Sequence, residues 1–297
     1  DQTSGYLRLA AVDLTTTFII TQFIGACRRI AGSDNQRVAD RWLSRLIAGE
    51  AFATVSISHL TTSRRHLSKP VLDATAIDDS MKRFRLSGVA PWVTGAAHAD
   101  VLVLAATMAD GRELLAAVPT DLPGVQCGAG ADLVALSASC TDQVTLHDVE
   151  IDAEHLIAGP VNEVMKSGVG AGTGGLQTST LAVGLSRAAV DYLKVEATKR
   201  SDLLLVAETM EGQVDNLQQR LLQAADGQAC DASEIRGEAN RLVMRTTQAA
   251  MTAAKGAGYV QGHPVGRWCR EAIFFLVWSC PQPVASAQMC ELAGIAV

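Results

Sequence analysis

Aromatic side chains make up only 4% of the 297 residues and charged ones only 19%. The scarcity of charge limits what the chain can bind: 25 Lys and Arg stand against 31 Asp and Glu, a net charge of −6. Neutralising phosphates along a nucleic acid needs clustered Lys and Arg, and the short run Arg64-Arg65-His66 does not supply it, so a dedicated nucleic-acid binder is excluded. No CxxC pair occurs among the seven cysteines, at 27, 127, 140, 230, 269, 280 and 290. Zinc-ribbon, redox CxxC and secreted disulfide-scaffold readings therefore fail, leaving scattered thiols in packed elements and no metal site. Apolar runs are broken well before the ~20 residues a bilayer span needs, and Asp1 to Arg8 lacks the basic start and apolar core of a signal peptide. These absences predict a cytoplasmic protein without a membrane span. What is abundant is small and aliphatic, with 48% of residues hydrophobic, enough for a large core.

Hydrophobic periodicity changes twice along the chain. Residues 6 to 50 carry helical spacing. Leu14, Phe18, Thr21, Gln22 and Gly25 mark one course, and Ser33-Asp34-Asn35-Gln36 supplies a capping-box start for a second, from Arg37 to Ile47. Val38, Trp42, Leu46 and Ile47 fall on one face of it. Strand-like runs then appear at Phe52 to Ser58, Phe84-Arg85-Leu86, Val101 to Leu104, Leu114 to Val118 and Val144 to Val149. Turn signals at Asp110-Gly111, Pro119 and Pro123-Gly124 separate them, as a small antiparallel module requires. From about 175, helices return: Leu176 to Lys199, Val206 to Ala224, a segment capped by Asp231-Ala232-Ser233-Glu234 and running to about Ala254, and two shorter pieces after Arg270 and Pro283. The order predicts an α+β chain with a partial N-terminal helical domain (1–50), a middle antiparallel β domain (51–160) and a C-terminal helical bundle (161–297).

The run Gly170-Ala171-Gly172-Thr173-Gly174-Gly175 fits the GxGxxG template, but no strand directly precedes it and no parallel βαβ series accompanies it. It reads as a hinge into the long helix. A more specific signal is Gly88-Val89-Ala90-Pro91-Trp92-Val93-Thr94-Gly95-Ala96-Ala97-His98-Ala99-Asp100. It resembles the G-x-x-x-W-(I/V)-T-x-x-x-x-A-D segment in the β domain of acyl-CoA dehydrogenases. Ile30 to Glu50 resembles the helix leading to that family's G-E, and Val144 to Pro160 its V-x-F-x-x-V-x-V-P strand. Gly256-Ala257-Gly258-Tyr259, Arg267 and Arg270-Glu271-Ala272 resemble its GGxGY…R…RDA block. The four pieces are colinear and cover most of the chain. The resemblance implies an N-terminal helical domain, a middle β domain and a C-terminal four-helix bundle. By that measure the chain is short at its front, its first helices missing.

The resemblance also implies FAD held between the β domain and the bundle, an acyl-CoA thioester substrate, and a Glu that removes the α-proton while the β-hydrogen leaves as hydride. It implies a homo-oligomer, dimer or tetramer, through the C-terminal bundle, with the apolar face of Leu176 to Val195 as the contact. Carried over residue by residue, Trp92 and Thr94 match the W-x-T pair beside the flavin; otherwise Trp92 is core and Thr94 a plain strand residue. Ser58 falls on the first Thr of V-T-E-P-x-x-G-S-D. The stretch His59-Leu60-Thr61-Thr62-Ser63-Arg64-Arg65 keeps neither Glu-Pro nor Gly-Ser, so Arg64 or Arg65 either meets the pyrophosphate or lies in a solvated basic loop. Arg200 matches the Arg of R-x-x-F-G, which reaches a neighbouring subunit's FAD pyrophosphate; otherwise it is a surface Arg at a helix end. Leu203-Leu204 replace Phe-Gly there, and Glu211 stands where a Gln is common.

At the catalytic position the pattern breaks. Counted from Arg270-Glu271-Ala272, the family's Y-E-G-T falls on Trp278-Ser279-Cys280-Pro281, so Ser279 holds the place of the Glu. The alternative base position on the long helix, aligned through Gly184, is Gln177, followed by Thr178. A hydroxyl or amide without a partner does not serve as that base, and a Cys280 thiolate needs a cationic neighbour that the sequence does not show. Pro281 and Pro283 also remove N–H groups where the family runs G-T-x-E. Three functions are open: an FAD-dependent oxidoreductase of the acyl-CoA dehydrogenase type with atypical chemistry, a non-catalytic flavin-binding or partner subunit, and a flavin-dependent monooxygenase on the same scaffold.

Overall fold

The computed structural model describes residues 2–61, 71–78, 80–166, 168 and 176–295. Arg64, Arg65 and the glycine run 170–175 lie outside the described residues. The chain divides into two compact units: a helical unit of Asp1–Phe18, Val134–Leu136 and Gly174–Val297, and a sheet unit of Ile19–Leu133 and Ser137–Thr173.

Helices α1 (Gln2–Val12) and α2 (Leu14–Ala31) open the chain. They part at Asp13, whose carboxylate accepts from Thr16 N at 2.7 Å and so caps α2. Helix α3 (Gln36–Ala48) starts without the expected capping box, because its side chains serve distant acceptors. Ser33 Oγ donates to Ile157 O at 2.7 Å, and Asn35 Nδ2 donates to Ala153 O and Leu156 O at 2.7 and 2.8 Å. Val38, Trp42 and Leu46 are buried, but Ile47, one residue round the helix, is 84% exposed and leaves the predicted stripe.

In the sheet unit, β1 (Ala53–Ser56) leads into the short helix α4 (Ser58–Thr61) and then β2 (Leu72–Ala76), β3 (Phe84–Val93), β4 (Val101–Met108) and β5 (Glu113–Pro119). Strands β6 (Val125–Cys127), β7 (Asp142–Ile151) and β8 (Leu156–Val161) complete it. The order is β6-β7-β3-β2-β4-β5-β8, with β1 also on β4. The antiparallel expectation is corrected: β1 and β2 both run parallel to β4, along its two halves, so the sheet is mixed. Strand β4 reads as an almost unbroken apolar run because both its faces are covered. Leu102, Leu104 and Ala106 join Leu114, Ala116, Phe84, Leu86, Val144 and Leu146 on one side. Val101, Val103 and Ala105 pack with Ala26, Ile30, Val38, Trp42 and Leu46 of α2 and α3 on the other.

The helical unit is built around α5 (Leu176–Ala197), buried almost continuously from Thr178 to Val190. Helices α1, α6 (Leu204–Ala225), α7 (Ala232–Gly258) and α8 (Pro264–Ala272) pack against it, and α9 (Gln282–Leu292) packs on α7. The expectation that the apolar face of α5 meets another subunit is corrected for Thr178 to Val190, which the chain's own helices cover, whereas Val195 is 56% exposed. Asp231 caps α7 as predicted, accepting from Ser233 N and Glu234 N at 2.8 and 3.0 Å. Among the described residues no helix is long and apolar enough to cross a membrane.

Candidate functional site

Strand β3 ends in an irregularity that sets the most informative side chains. Its register against β7 shifts between Ala90 and Val93, where Pro91, with no N–H to give, is accommodated. The shift breaks the in–out alternation. Ala90, Pro91 and Val93 are buried while Trp92 turns outward, 52% exposed. Two residues on, Thr94 is buried. Its Oγ1 accepts from Thr141 Oγ1 at 3.0 Å, and Thr141 Oγ1 lies 2.8 Å from Ser139 Oγ. A large aromatic face thus stands beside a buried hydroxyl fixed from behind, within the sheet unit.

Strand β1 adds a second polar row. Ala53, Val55 and Ile57 face α2 and α3, so alternation sends Thr54 and Ser56 to the opposite face. Both are buried, and neither hydroxyl has a hydrogen-bond partner among the described residues. His59, in α4, is buried as well, its Nε2 2.8 Å from Ala105 O. A carbonyl only accepts, so Nε2 carries the hydrogen and Nδ1, which has no partner among the described residues, is left as an acceptor. Burial pushes the imidazole pKa down, outweighing the raising effect of the Ala105 hydrogen bond. Both β1 and α4 pack on β3. Ser58, the predicted contact, opens α4 partly buried, and its carbonyl accepts from Thr61 Oγ1 at 3.2 Å. Thr54, Ser56 and His59 escaped the sequence reading, although the alternation of Thr54, Ser56 and Ser58 with apolar residues was available to find the first two. Unpaired buried polar atoms cost about 1–3 kcal/mol each, so this short segment carries a polar cost.

The remaining predicted residues lie in the helical unit, so the predicted set is divided between the two units. The Arg200 guanidinium donates to Ala253 O at 2.8 Å and stands 3.4 Å from Asp202. Glu211 is paired with Lys194 at 2.5 Å. Gln177, the second residue of α5, is partly buried. Ser279 is held at φ +46°, a left-handed conformation uncommon for serine, just beyond the single-turn helix Ile273–Leu276. Buried Arg236 holds that turn, donating to Phe275 O and Trp278 O at 3.0 and 2.8 Å. One expectation changes here: Cys280 does have a cationic neighbour. Burial pushes the Arg236 guanidinium down to about 10, opposed by the Cys280 thiol beside it. Asn240 Nδ2 lies 3.9 Å from Cys280 Sγ.

A buried carboxyl also emerges that the sequence reading placed only within a motif. Glu271 is 2% exposed, with its Oε1 3.6 Å from Arg267 Nε; Arg267 in turn stands 3.7 Å from Asp13. Burial, chiefly, raises its pKa to about 7; Arg267 and Arg270 oppose the shift and Asp13 reinforces it. Since the folded state binds this proton more tightly than the unfolded one, stability falls as pH climbs from about 4.5 to about 7 and levels above. Glu271→Gln is expected to stabilise the protein at pH 8 by on the order of 1–3 kcal/mol, with no gain near pH 4, in urea unfolding at both pH values.

The class defined by this architecture is the acyl-CoA dehydrogenase fold. Butyryl-CoA dehydrogenase from Megasphaera elsdenii matches with a TM-score of 0.80 at 18% identity, over 97% of this chain and 79% of that one. A glutaryl-CoA dehydrogenase from Mycobacterium smegmatis, in complex with FADH2, matches at 0.77 and 18% identity, over 98% and 79%. Dibenzothiophene monooxygenase (TdsC) from Paenibacillus sp. A11-2 matches at 0.75 and 16% identity, over 98% and 81%. In sequence, the chain is 25% identical over 208 residues to the curated Bacillus subtilis (strain 168) protein named Probable acyl-CoA dehydrogenase YngJ. That match covers 63% of this chain and only about half, 55%, of the relative's length. No protein-family model matches the chain.

Proposed function

We propose that the chain binds FAD on its sheet unit and is a flavin-dependent oxidoreductase of the acyl-CoA dehydrogenase type whose chemistry does not use a carboxylate at position 279. The observation that carries this reading is the conjunction at the end of β3: an outward-turned Trp92 beside a buried, oriented Thr94 hydroxyl. The fold shared with a dehydrogenase in complex with FADH2 supports it. Trp92 offers its indole face to a flat ring, and Thr94 offers a hydrogen to an acceptor on the ring edge. The partly buried Ser58 hydroxyl can donate or accept. Arg200 has N–H groups beyond those given to Ala253 and Asp202, and in a homo-oligomer it is the candidate for the pyrophosphate. FAD, when bound, supplies two-electron acceptor chemistry.

Ser279 and Gln177 restrict the chemistry open to a thioester here. Neither can take up its α-proton, because a neutral hydroxyl or amide is far too weak a base. Ordinary α,β-dehydrogenation of an acyl-CoA is therefore expected to be slow. Ser279→Glu is expected to raise it by roughly tenfold or more, within the range a placed general base provides. No gain in a flavin-loaded variant would mean that the thioester pocket is lost too. The missing base also favours a second reading, a flavin-dependent monooxygenase, in line with the shared fold of the dibenzothiophene enzyme.

Anaerobic addition of a mixed acyl-CoA pool to the flavin-loaded protein, followed by aerobic turnover with an external reductant, distinguishes the readings. Bleaching with acyl-CoA supports the dehydrogenase, and oxygen uptake coupled to a hydroxylated product supports the monooxygenase. Neither response in a flavin-loaded protein leaves a non-catalytic partner subunit.

A further inference from the structure

Three buried hydroxyls form a directed chain behind the proposed ring site. Thr94, Ser139 and Thr141 are 4%, 1% and 8% exposed. Their meeting follows from strand register: Val93 of β3 lies opposite Asp142 of β7, so the next residues outward are Thr94 and Thr141. A backbone hydrogen bond from Gly95 N to Cys140 O, 3.2 Å, clamps the same junction.

A hydroxyl has one hydrogen and two lone pairs, so each member of such a chain donates only once. Thr141 Oγ1 donates to Thr94 Oγ1 at 3.0 Å. Having used its hydrogen there, Thr141 receives one from Ser139 at 2.8 Å. The direction is then fixed from Ser139 through Thr141 to Thr94. The hydrogen of Thr94 has no acceptor in the hydrogen bonds of the described residues. A buried donor left unmade costs about 1–3 kcal/mol, so the chain ends in a group matched to an acceptor and mismatched to a donor.

We propose that Ser139 and Thr141 are positioning residues that hold the Thr94 hydroxyl as a donor toward a ring-edge acceptor, a carbonyl oxygen or unprotonated ring nitrogen of the flavin. The inference rests on the proposed flavin binding and adds what keeps the hydroxyl from turning its lone pairs to the ring. Without Thr141 the Thr94 hydroxyl can rotate, and a lone pair facing a ring-edge acceptor is repulsive.

The test is FAD titration, by fluorescence quenching and visible spectrum, of the full chain and its Thr141→Val, Thr141→Ser, Thr94→Val and Thr94→Val/Thr141→Val variants. Thr141→Val is expected to weaken FAD binding roughly five- to tenfold and to shift the visible flavin bands. Thr141→Ser should restore both, and in the Thr94→Val background Thr141→Val should cost nothing more. Unchanged affinity and bands in Thr141→Val, or an equal loss in the Thr94→Val background, would overturn the positioning role. If the wild-type chain binds no FAD, the flavin reading fails and takes this role with it. If Thr94→Val weakens binding and Thr141→Val does not, only the positioning role fails. Should Thr141→Val not fold, Ser139→Ala replaces it, with a smaller loss and the same band shift expected; no change would again overturn the proposal.

Discussion

A Trp92→Ala/Thr94→Val double variant is expected to bind FAD roughly 5- to 150-fold more weakly than the wild-type chain while staying folded. The size comes from two contributions. An aromatic stacking partner is worth about 0.5–1.5 kcal/mol beyond its buried area, and a hydrogen bond about 0.5–1.5 kcal/mol net. Folding should survive because Trp92 is half exposed and contributes little to the core, while Val occupies the space of Thr94. The Thr141 hydroxyl loses its acceptor, a cost of about 1–3 kcal/mol that appears in denaturant unfolding of the apo form as well. Full FAD affinity in the folded double variant would remove both residues from the site.

Gly184→Leu is expected to destabilise the helical unit by on the order of 3 kcal/mol or more. Helices α1 and α5 cross at this glycine. A Cβ built there would sit 2.6 Å from the Leu7 carbonyl oxygen and 2.7 Å from Ala10 Cβ, distances that real contacts do not show. Neither neighbour is the free end of a flexible side chain, so α1 must move off α5, exposing Tyr6, Leu7 and Ala10, all buried against the unit. Helix propensity works the other way, since any side chain gains up to about 1 kcal/mol over Gly in a helix interior, and it is outweighed. Gly212 of α6 is the control: nothing lies within 4 Å of its Cβ position. Gly212→Ala should therefore stabilise by about 0.5–1 kcal/mol. Thermal unfolding that places both variants on the same side of wild type would contradict this picture of the crossing.

Much of the architecture was legible because its signals are local. Asp231 is the cap it looks like, α5 to α7 begin and end close to where periodicity places them, and the alternation in Phe52 to Ser58 holds a strand over Ala53–Ser56, with Ser58 already in α4. Trp92 and Thr94 were legible only as a motif; nothing in their spacing says that the chain shifts register at Pro91 and turns the indole outward. The direction of strand pairing left no trace, since alternation is the same in parallel and antiparallel strands, and β1 and β2 both proved parallel to β4. Strands β2 and β8 were missed because Leu72-Asp73-Ala74-Thr75-Ala76 is rich in the weak strand former Ala and β8 carries Gly159-Pro160, a breaker signal. Partners far apart in sequence were equally hidden. Arg236 reaches the turn before Ser279 from about 40 positions upstream, and the acceptors of Ser33 and Asn35 lie more than 100 positions away. The hydroxyl chain behind Thr94 belongs to the same class, because Ser139 and Thr141 lie more than 40 positions on, just before β7.

Flavin binding on the sheet unit is tested most directly by the visible absorbance spectrum of the folded chain after incubation with FAD and desalting. The expected result is flavin that travels with the protein, its bands shifted from those of free FAD. A folded protein that leaves the column colourless would contradict it.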